Sequence, residues 1–270
     1  MRERDAVDGG YTEMMRAPLA FSFAYLAAAA LSSAGAAAFA AEMPEDFVYL
    51  RDIDPTILQD MRYAGRDNFT GEPVPGYDAP ECVLLRPAAE ALAAVQADLR
   101  AKGLALKVYD CYRPARAVAA FVAWAKEPDD PAAKAAYYPH LAKSALFPDY
   151  IATRSGHSRG ATLDLTIVET AASAPQAGTG TATPIACTAP QHERGSDGSL
   201  DMGTSFDCFD VEANTAAPGL SADEQHNRAT LLEAMQVRGF KNYPLEWWHF
   251  TFEPEPYPDT IFDFPIVARP

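Results

Sequence analysis

The stretch from Glu246 to Phe250, near the C-terminal end, sets two titratable side chains among three aromatic ones. Read as a strand, it alternates, so that Glu246 and Trp248 share one face while His249 lies on the other. A glutamate three residues before a histidine, inside an aromatic wall, offers a general base and a metal ligand. A buried histidine with a satisfied partner is the commoner explanation of one such residue, so this stretch decides nothing alone.

A second segment, Ser155 to Asp164, strengthens the chemical interpretation. It supplies another histidine, His157, and Asp164 follows seven positions later, just inside an apolar run. Two histidines, one aspartate and a free glutamate are what a hydrolytic zinc site needs. Three protein ligands leave one position for water, whose pKa zinc lowers to about 7, and a non-ligating carboxylate then takes its proton. The sequence contains no His-Glu-x-x-His motif, so these are not the ligands of that helix.

Composition excludes some partners and leaves others open. The 270 residues allow one large domain or two small ones, and 49% hydrophobic residues can form a substantial core. The formal net charge of −15 argues against a nucleic-acid surface, which requires clustered lysines and arginines. An acidic surface fits a soluble protein and leaves a small-molecule substrate open.

An apolar run near the N-terminus is typical of a secretory signal peptide. Residues 17–41 carry no charged side chain, and the run ends in a small-x-small pattern, Ala38-Phe39-Ala40. We predict cleavage near Ala40 and a periplasmic or secreted protein without a stable membrane anchor; a retained membrane helix is the alternative. Residues 1–40 are then the signal peptide, and their acidic beginning points to Met14 or Met15 as the true start.

The cysteines leave three pairings open, because export permits disulfides and four cysteines are present. Pairing by proximity joins Cys82 to Cys111 and Cys187 to Cys208. A zinc site made of these four is a rival interpretation, disfavoured because the sequence contains no C-x-x-C pair. Unpaired buried thiols are the third alternative.

Hydrophobic periodicity and punctuation predict a mixture of helices and short strands. Three helices are predicted to begin at Arg86, at Pro114 and after the capping box at Ser221. Strands are predicted over 104–108 and 161–168. The segment from 171 to 198 is rich in Ala, Thr, Gly, Pro and Ser, which predicts a surface insertion within the domain formed by 41–270.

Four motifs occur together along the chain: Asp110-x-Tyr112-Arg113-Pro114, Ser155-x-His157-x-x-Gly160-x-x-x-Asp164, Asp201-Met202-Gly203 and Glu246-Trp247-Trp248-His249. In this combination the chain resembles the D-alanyl-D-alanine dipeptidases of the vancomycin-resistance type. These are M15 zinc peptidases, related to D,D-carboxypeptidases and hedgehog N-terminal domains. The resemblance implies a single α+β domain with a small antiparallel sheet flanked by helices. Thr162, where the family usually has Ala, and the long insertion depart from the family pattern.

The resemblance also implies a set of site residues and a substrate. One zinc ion per chain would be held by His157, Asp164 and His249, with Glu246 as general base and then acid. Arg113 would stabilise the oxyanion, since a guanidinium can meet it with two donors. The substrate would be the dipeptide D-Ala-D-Ala, with contacts from four further residues: Asp207 to its free amino group, Ser155 and Tyr63 as polar contacts, and Phe121 as an apolar wall.

Three alternatives stand beside this prediction. A peptidoglycan D,D- or L,D-carboxypeptidase on the same scaffold is the nearest, and Asp207 argues against it because it recognises a free amine. A hedgehog-like binding module with a structural zinc is the second; such a module needs neither Glu246 nor Arg113. An unrelated structural periplasmic protein is the third, and it would leave all four motifs as coincidence.

Overall fold

The computed structural model describes residues 42–170 and 184–270. The predicted signal peptide, residues 1–40, and the first part of the predicted insertion lie outside the described residues. The strands of the described part are β1 (Phe47–Tyr49), β2 (Leu58–Gln59), β3 (Val83–Leu85), β4 (Leu104–Asp110), β5 (Thr162–Glu169), β6 (Phe240–Asn242) and β7 (His249–Phe252). Its α-helices are α1 (Leu50–Ile53), α2 (Arg86–Arg100), α3 (Ala115–Trp124), α4 (Pro131–Tyr137), α5 (Gln191–Arg194) and α6 (Ala222–Gln236).

The main sheet has five strands in the order β2-β4-β5-β7-β6, and β1 and β3 form a separate antiparallel pair. The pairings β4–β5, β5–β7 and β6–β7 are antiparallel, whereas the short edge strand β2 runs parallel to β4. Helix α2 packs on β4, and α6 packs on β6 and on α2. The predicted α+β class, with a small antiparallel sheet flanked by helices, is confirmed.

Local sequence explains the longest elements. Helix α2 begins with Pro87 in its first turn and buries the stripe of Leu92, Val95 and Leu99. Helix α6 begins with the predicted capping box. The Ser221 hydroxyl accepts from the backbone N–H of Glu224, and the Glu224 carboxylate accepts from the backbone N–H of Ser221. Strands β4 and β5 are buried along nearly their whole length, although polar residues such as Lys107 and Asp164 interrupt their apolar residues.

Two disulfides join the four cysteines in the pairing by proximity. Cys82 bonds to Cys111 and Cys187 bonds to Cys208, with Cα–Cα distances of 5.3 and 5.5 Å. No cysteine is left as a free thiol, so the two rival interpretations, a four-cysteine zinc site and buried thiols, are wrong. Among the described residues, no helix has the length and apolar character needed to cross a membrane.

The described end of the predicted insertion is bound to the sheet. Nζ of Lys107 in β4 donates to the backbone carbonyl of Asp197 at 2.7 Å, and just beyond the insertion Leu200 donates its backbone N–H to the carbonyl of Ile167 in β5. The Asp197 carboxylate lies 2.7 Å from Nζ of Lys107, a residue of β4 whose side chain is fully buried. Residues 184–198 therefore pack onto the domain, and the disulfide of Cys187 with Cys208 anchors them covalently.

Candidate active site

Strand register and the 3-10 helix before β5 bring the three predicted metal ligands to one place. Asp164 in β5 is the register partner of His249, the first residue of β7, and of Asp110 at the end of β4. His157 lies on the short 3-10 helix Gly156–Arg159 that leads into β5, and the Ser155 hydroxyl caps that helix by accepting from the His157 backbone. Ser155 therefore supports a site residue as well as lining the cleft.

The ligand atoms of these three residues form a small triangle. Nε2 of His157 lies 3.3 Å from Oδ1 of Asp164, and Nδ1 of His249 lies 3.1 Å from the same oxygen. The two histidine nitrogens lie 3.3 Å apart. Zinc–ligand bonds of about 2.0–2.1 Å at tetrahedral angles give ligand–ligand distances of about 3.3 Å. Oδ1 of Asp164 is buried without a hydrogen bond of good geometry, so the donor set fits a zinc ion.

Hydrogen bonds behind the triangle fix the orientation of His157. Its Nδ1 lies 2.8 Å from the carbonyl oxygen of Cys111 and 3.3 Å from Oδ2 of Asp110, which directs Nε2 toward the other ligands. Burial lowers the pKa of His249, which favours the neutral imidazole that can ligate a metal. Burial alone would raise the pKa of Asp164, but the two histidines hold it well below its usual range.

Glu246 lies beside the triangle but outside it. Its Oε2 is 3.4 Å from Nδ1 of His249, while the close group of candidate ligands contains only the other three residues. Burial raises the pKa of the Glu246 carboxyl well above its ordinary value, and the charges of Asp164 and Asp207 raise it further. A raised pKa suits a carboxyl group that must accept a proton and then return it.

The prediction that Glu246 begins a strand is wrong. The chain turns here: the Glu246 backbone donates to the carbonyl of Tyr243, and the His249 backbone donates to the carbonyl of Glu246. Strand β7 begins only at His249. The turn places Glu246 and His249 on the same side, whereas strand alternation would have separated them.

Arg113 is held at the site by a carboxylate that the sequence analysis left without a role. Nε and Nη2 of Arg113 lie 2.9 and 2.8 Å from Oδ2 of Asp110. Its guanidinium sits 5.2 Å from the ring centre of Tyr63 and 5.1 Å from that of Phe121, and Nη2 lies 3.5 Å from Oδ2 of Asp164. The only sequence signal for Asp110 was its place at the head of the Arg113 motif.

Asp207 is buried at the other end of the same cleft. The hydroxyl of Tyr63 donates to its carboxylate at 2.9 and 3.1 Å. Burial and the charge of Asp164 raise the pKa of Asp207 to about 8. Among the described residues no arginine, lysine or histidine forms an ion pair with it. A cation that enters the cleft would therefore find an uncompensated carboxyl group.

The cleft that joins these residues has a volume of about 250 Å³. Typical ligand pockets span about 300–1,000 Å³, so this space suits a small molecule. Every predicted site residue lines it: Tyr63, Arg113, Phe121, Ser155, His157, Asp164, Asp207, Glu246 and His249.

The outer lip of the cleft was missed by the sequence analysis. It includes Asp149, Tyr150 and Arg154, and the hydroxyl of Tyr243 donates to the carbonyl of Asp149 at 2.9 Å. The contact joins segments that are 94 positions apart, so no local pattern could reveal it.

A second group of candidate metal ligands lies outside the cleft and is satisfied without an ion. Nδ1 of the exposed His140 lies 2.7 Å from Oδ2 of Asp210, and the other Asp210 oxygen accepts from the backbone of Glu212. We assign no ligand to this group.

The fold and the cleft together define a class of protein. Strands β5 and β7 and the 3-10 helix before β5 bring two histidines and an aspartate together, with a glutamate and an arginine beside them, and this set of side chains is typical of a metal-dependent peptidase. The family described as Peptidase M15, D-ala-D-ala dipeptidase, matches residues 43–181 and 169–267. The chain belongs to this family, and the resemblance drawn from the four motifs is confirmed.

Individual relatives agree over most of the chain. A protein of Enterococcus faecium named D-alanyl-D-alanine dipeptidase is 36% identical over 221 residues, which covers 82% of this chain and 98% of that protein. One of the same name from Streptomyces coelicolor is 37% identical, with 83% and 100% covered. A third, from Enterococcus faecalis, is 35% identical, with 83% and 100% covered.

Proposed function

We propose that this protein is a zinc-dependent D-alanyl-D-alanine dipeptidase. The observation that carries the proposal is the triangle of His157, Asp164 and His249, with edges of 3.1–3.3 Å, beside a carboxyl group that does not ligate. Family membership and the names of the three relatives support the same activity. A binding module with a structural metal would need only the triangle, and the presence of Glu246 and Arg113 favours an enzyme.

Zinc bound at the triangle would supply a Lewis acid and would lower the pKa of water to about 7. Glu246 lies within reach to take a proton from the attacking water, since its carboxyl borders the ligand His249. The raised pKa of Glu246 makes it a competent base, and the protonated form can return the proton to the leaving amine. Water thus adds to the carbonyl carbon, the C–N bond breaks, and both products are free D-alanine.

Arg113 would stabilise negative charge on the carbonyl oxygen of the scissile bond. Asp110 holds Nε and Nη2, and the rings of Tyr63 and Phe121 flank the guanidinium, so the group is oriented before substrate arrives. Stabilisation by a fixed donor costs no reorganisation during the reaction. The arginine therefore acts through position as much as through charge.

Asp207 would select the free dipeptide. Burial raises the pKa of its carboxyl group to about 8, so the carboxyl holds a proton in the free protein near neutral pH; the ammonium group of a bound dipeptide would favour the ionised carboxylate and pair with it. A peptide extended at its amino end lacks that charge and adds bulk in a cleft of about 250 Å³. This favours a dipeptidase over a carboxypeptidase on the same scaffold.

The direct test compares three substrates on purified protein, with and without zinc. D-Ala-D-Ala should be cleaved well, while N-acetyl-D-Ala-D-Ala and the cell-wall pentapeptide should be cleaved more than tenfold more slowly. The reason is that losing a buried charge pair costs about 2–5 kcal/mol. Asp207→Ala should reduce the difference in cleavage rate between these substrates, because cleavage of the free dipeptide slows most, and the variant should retain zinc. A wild type that cuts the pentapeptide as fast as the dipeptide would establish the carboxypeptidase alternative.

We also propose that the protein is exported and acts on dipeptide released from the cell wall. The uncharged run over 17–41 and the two disulfides support an oxidising compartment. An exported enzyme does not reach the cytoplasmic D-Ala-D-Ala pool, which makes nutrient recovery a better role than direct antibiotic resistance. Cell fractionation tests export. Growth on D-Ala-D-Ala as sole nitrogen source tests recovery, and growth unchanged by deletion of the protein would contradict it.

A further inference from the structure

The four-residue loop Ser205–Cys208 carries Asp207, and one residue, Cys187, holds both of its ends. The backbone N–H of Ser205 donates to the carbonyl of Cys187 at 2.9 Å. At the other end Cys208 is bonded to Cys187 through the disulfide. Asp207 therefore sits next to the covalent bond, inside a loop closed by a single partner. We call this arrangement the Cys187 clamp.

The backbone of Asp207 needs such support. Its φ is 59°, in the left-handed region, and among the described residues it is the one non-glycine with a positive φ. Aspartate tolerates this conformation better than most residues, but the conformation is still strained and persists where the surroundings impose it. A loop free to relax would turn the Asp207 side chain away from its present direction.

The direction of that side chain is set by few contacts. Asp207 is 4% exposed, and its carboxylate accepts only from Tyr63 among the described hydrogen bonds. No cation among the described residues pairs with it. The flanking residues are anchored, since Phe206 stacks on Tyr109 at 4.4 Å and the Phe209 backbone donates to the carbonyl of Tyr137. Within the Cys187 clamp, the disulfide is the covalent bond that holds the loop itself.

We propose that the Cys187–Cys208 disulfide positions Asp207 to bind the ammonium group of the substrate. Cys187 and Cys208 are then positioning residues for substrate selection, and they link the described end of the insertion to the specificity of the cleft. The inference rests on the dipeptidase function proposed above. It assigns no contact between either cysteine and the substrate.

The experiment replaces both cysteines by serine, Cys187→Ser with Cys208→Ser, and measures KM and kcat separately on D-Ala-D-Ala. Zinc content and the unfolding midpoint are measured on the same samples, and assays are run well below that midpoint. We expect KM to rise about tenfold, a size within the range of coupling between contacting residues. Zinc content should stay at the wild-type level and kcat within about twofold of wild type. General loosening of the fold would lower kcat and zinc content as well.

A double-mutant cycle with Asp207→Ala identifies the residue through which the clamp acts. If the Cys187 clamp acts through Asp207, replacing both cysteines by serine in the Asp207→Ala protein should raise KM no further. Should the serine pair fail to fold, Cys187→Ala with Cys208→Val is measured in its place, because apolar side chains suit the buried position.

Two results would contradict the proposed role of the disulfide while leaving the proposed dipeptidase function intact. One is an unchanged KM in a folded double variant, and the other is a KM increase that is as large in the Asp207→Ala background as in wild type. A wild-type protein that does not cleave D-Ala-D-Ala would overturn both proposals together.

Discussion

At the scale of single residues, Asp110 connects two halves of the site. Its Oδ2 lies 2.9 and 2.8 Å from Nε and Nη2 of Arg113 and 3.3 Å from Nδ1 of His157. Its Oδ1 accepts a hydrogen bond from the hydroxyl of Tyr77 at 2.7 Å. One carboxylate thus orients both Arg113, the group proposed to stabilise the oxyanion, and His157, a proposed metal ligand. The sequence predicted the residues that it orients but not Asp110 itself, because its role depends on strand pairing with β5.

Asp110→Asn should lower zinc affinity about 10- to 100-fold, the usual cost of losing a partner behind a metal ligand. It should also lower kcat, since the Arg113 guanidinium loses its fixed counter-charge. Zinc competition with a chromogenic chelator measures the first effect, and steady-state kinetics measures the second. The matched control is Asp98→Asn, which removes an exposed aspartate–arginine pair with Arg238 and should change neither.

Glu246→Gln keeps the size of the side chain but cannot accept the proton. We expect full zinc occupancy and a kcat lower by about 10²–10⁴-fold, the usual contribution of general acid–base catalysis. Glu90→Gln, on the exposed face of α2, serves as the control and should behave as wild type. Near-normal turnover by the Glu246 variant would assign the base to another residue.

At the scale of elements, the sheet register and one glycine decide where His157 lies. Gly160 joins the 3-10 helix of His157 to β5, with φ of 83°. A Cβ built there would come within 2.3 Å of the Phe47 ring, so the position needs glycine for both its backbone and its space. The motif had marked Gly160 by spacing alone; the contact with Phe47 is 113 positions distant and was not predictable from the sequence.

Gly160→Ala should lower the free energy of unfolding by about 2–4 kcal/mol, combining overpacking with left-handed strain. It should also weaken zinc binding, because His157 shifts with its helix. Gly71→Ala is the control: φ there is 73°, but nothing lies within 4 Å of the added carbon, so only the strain term applies. Urea unfolding of both variants measures the difference, and equal losses would contradict the packing explanation.

Elements with a strong local signal were predicted well, and the exceptions share a cause. Helices α2, α3 and α6 and strands β4 and β5 lie where periodicity and capping placed them. The turn at Glu246 was taken for a strand because aromatic alternation imitates one. Contacts from distant residues decide it, including the Trp247 Nε1–H donated to Thr204 Oγ1, 43 positions away.

At the scale of the whole molecule, the cleft concentrates buried carboxyl groups in an acidic protein. Asp164, Asp207 and Glu246 are buried and line one space, and the buried Asp110 lies behind it against Arg113, the counter-charge. Motif resemblance was enough to predict the family and the fold. The lip of the cleft and the clamp on Asp207 depend on the packing of segments that carry no local pattern.

The raised pKa of Asp207 predicts how the metal-free protein responds to pH. A carboxyl whose folded pKa is about 8 keeps its proton when folded but loses it near pH 3.9 when unfolded. Its contribution to stability is therefore complete below about pH 4 and is lost as pH rises toward 8. Metal-free Asp207→Asn should match the wild type near pH 4 and be more stable than it by more than about 1 kcal/mol at pH 7. Denaturant unfolding at both pH values measures this, and a pH-independent difference would contradict it.

Zinc titration of the metal-free enzyme tests the central claim most directly. D-alanine release from D-Ala-D-Ala is followed while zinc is added to chelator-treated protein, alongside His157→Ala, Asp164→Ala and His249→Ala. We expect activity to rise from near zero and to saturate at one zinc per chain, with each variant failing to retain the ion, because three ligands leave none redundant. Full activity without metal, or a variant that stays fully loaded, would contradict the proposed zinc site.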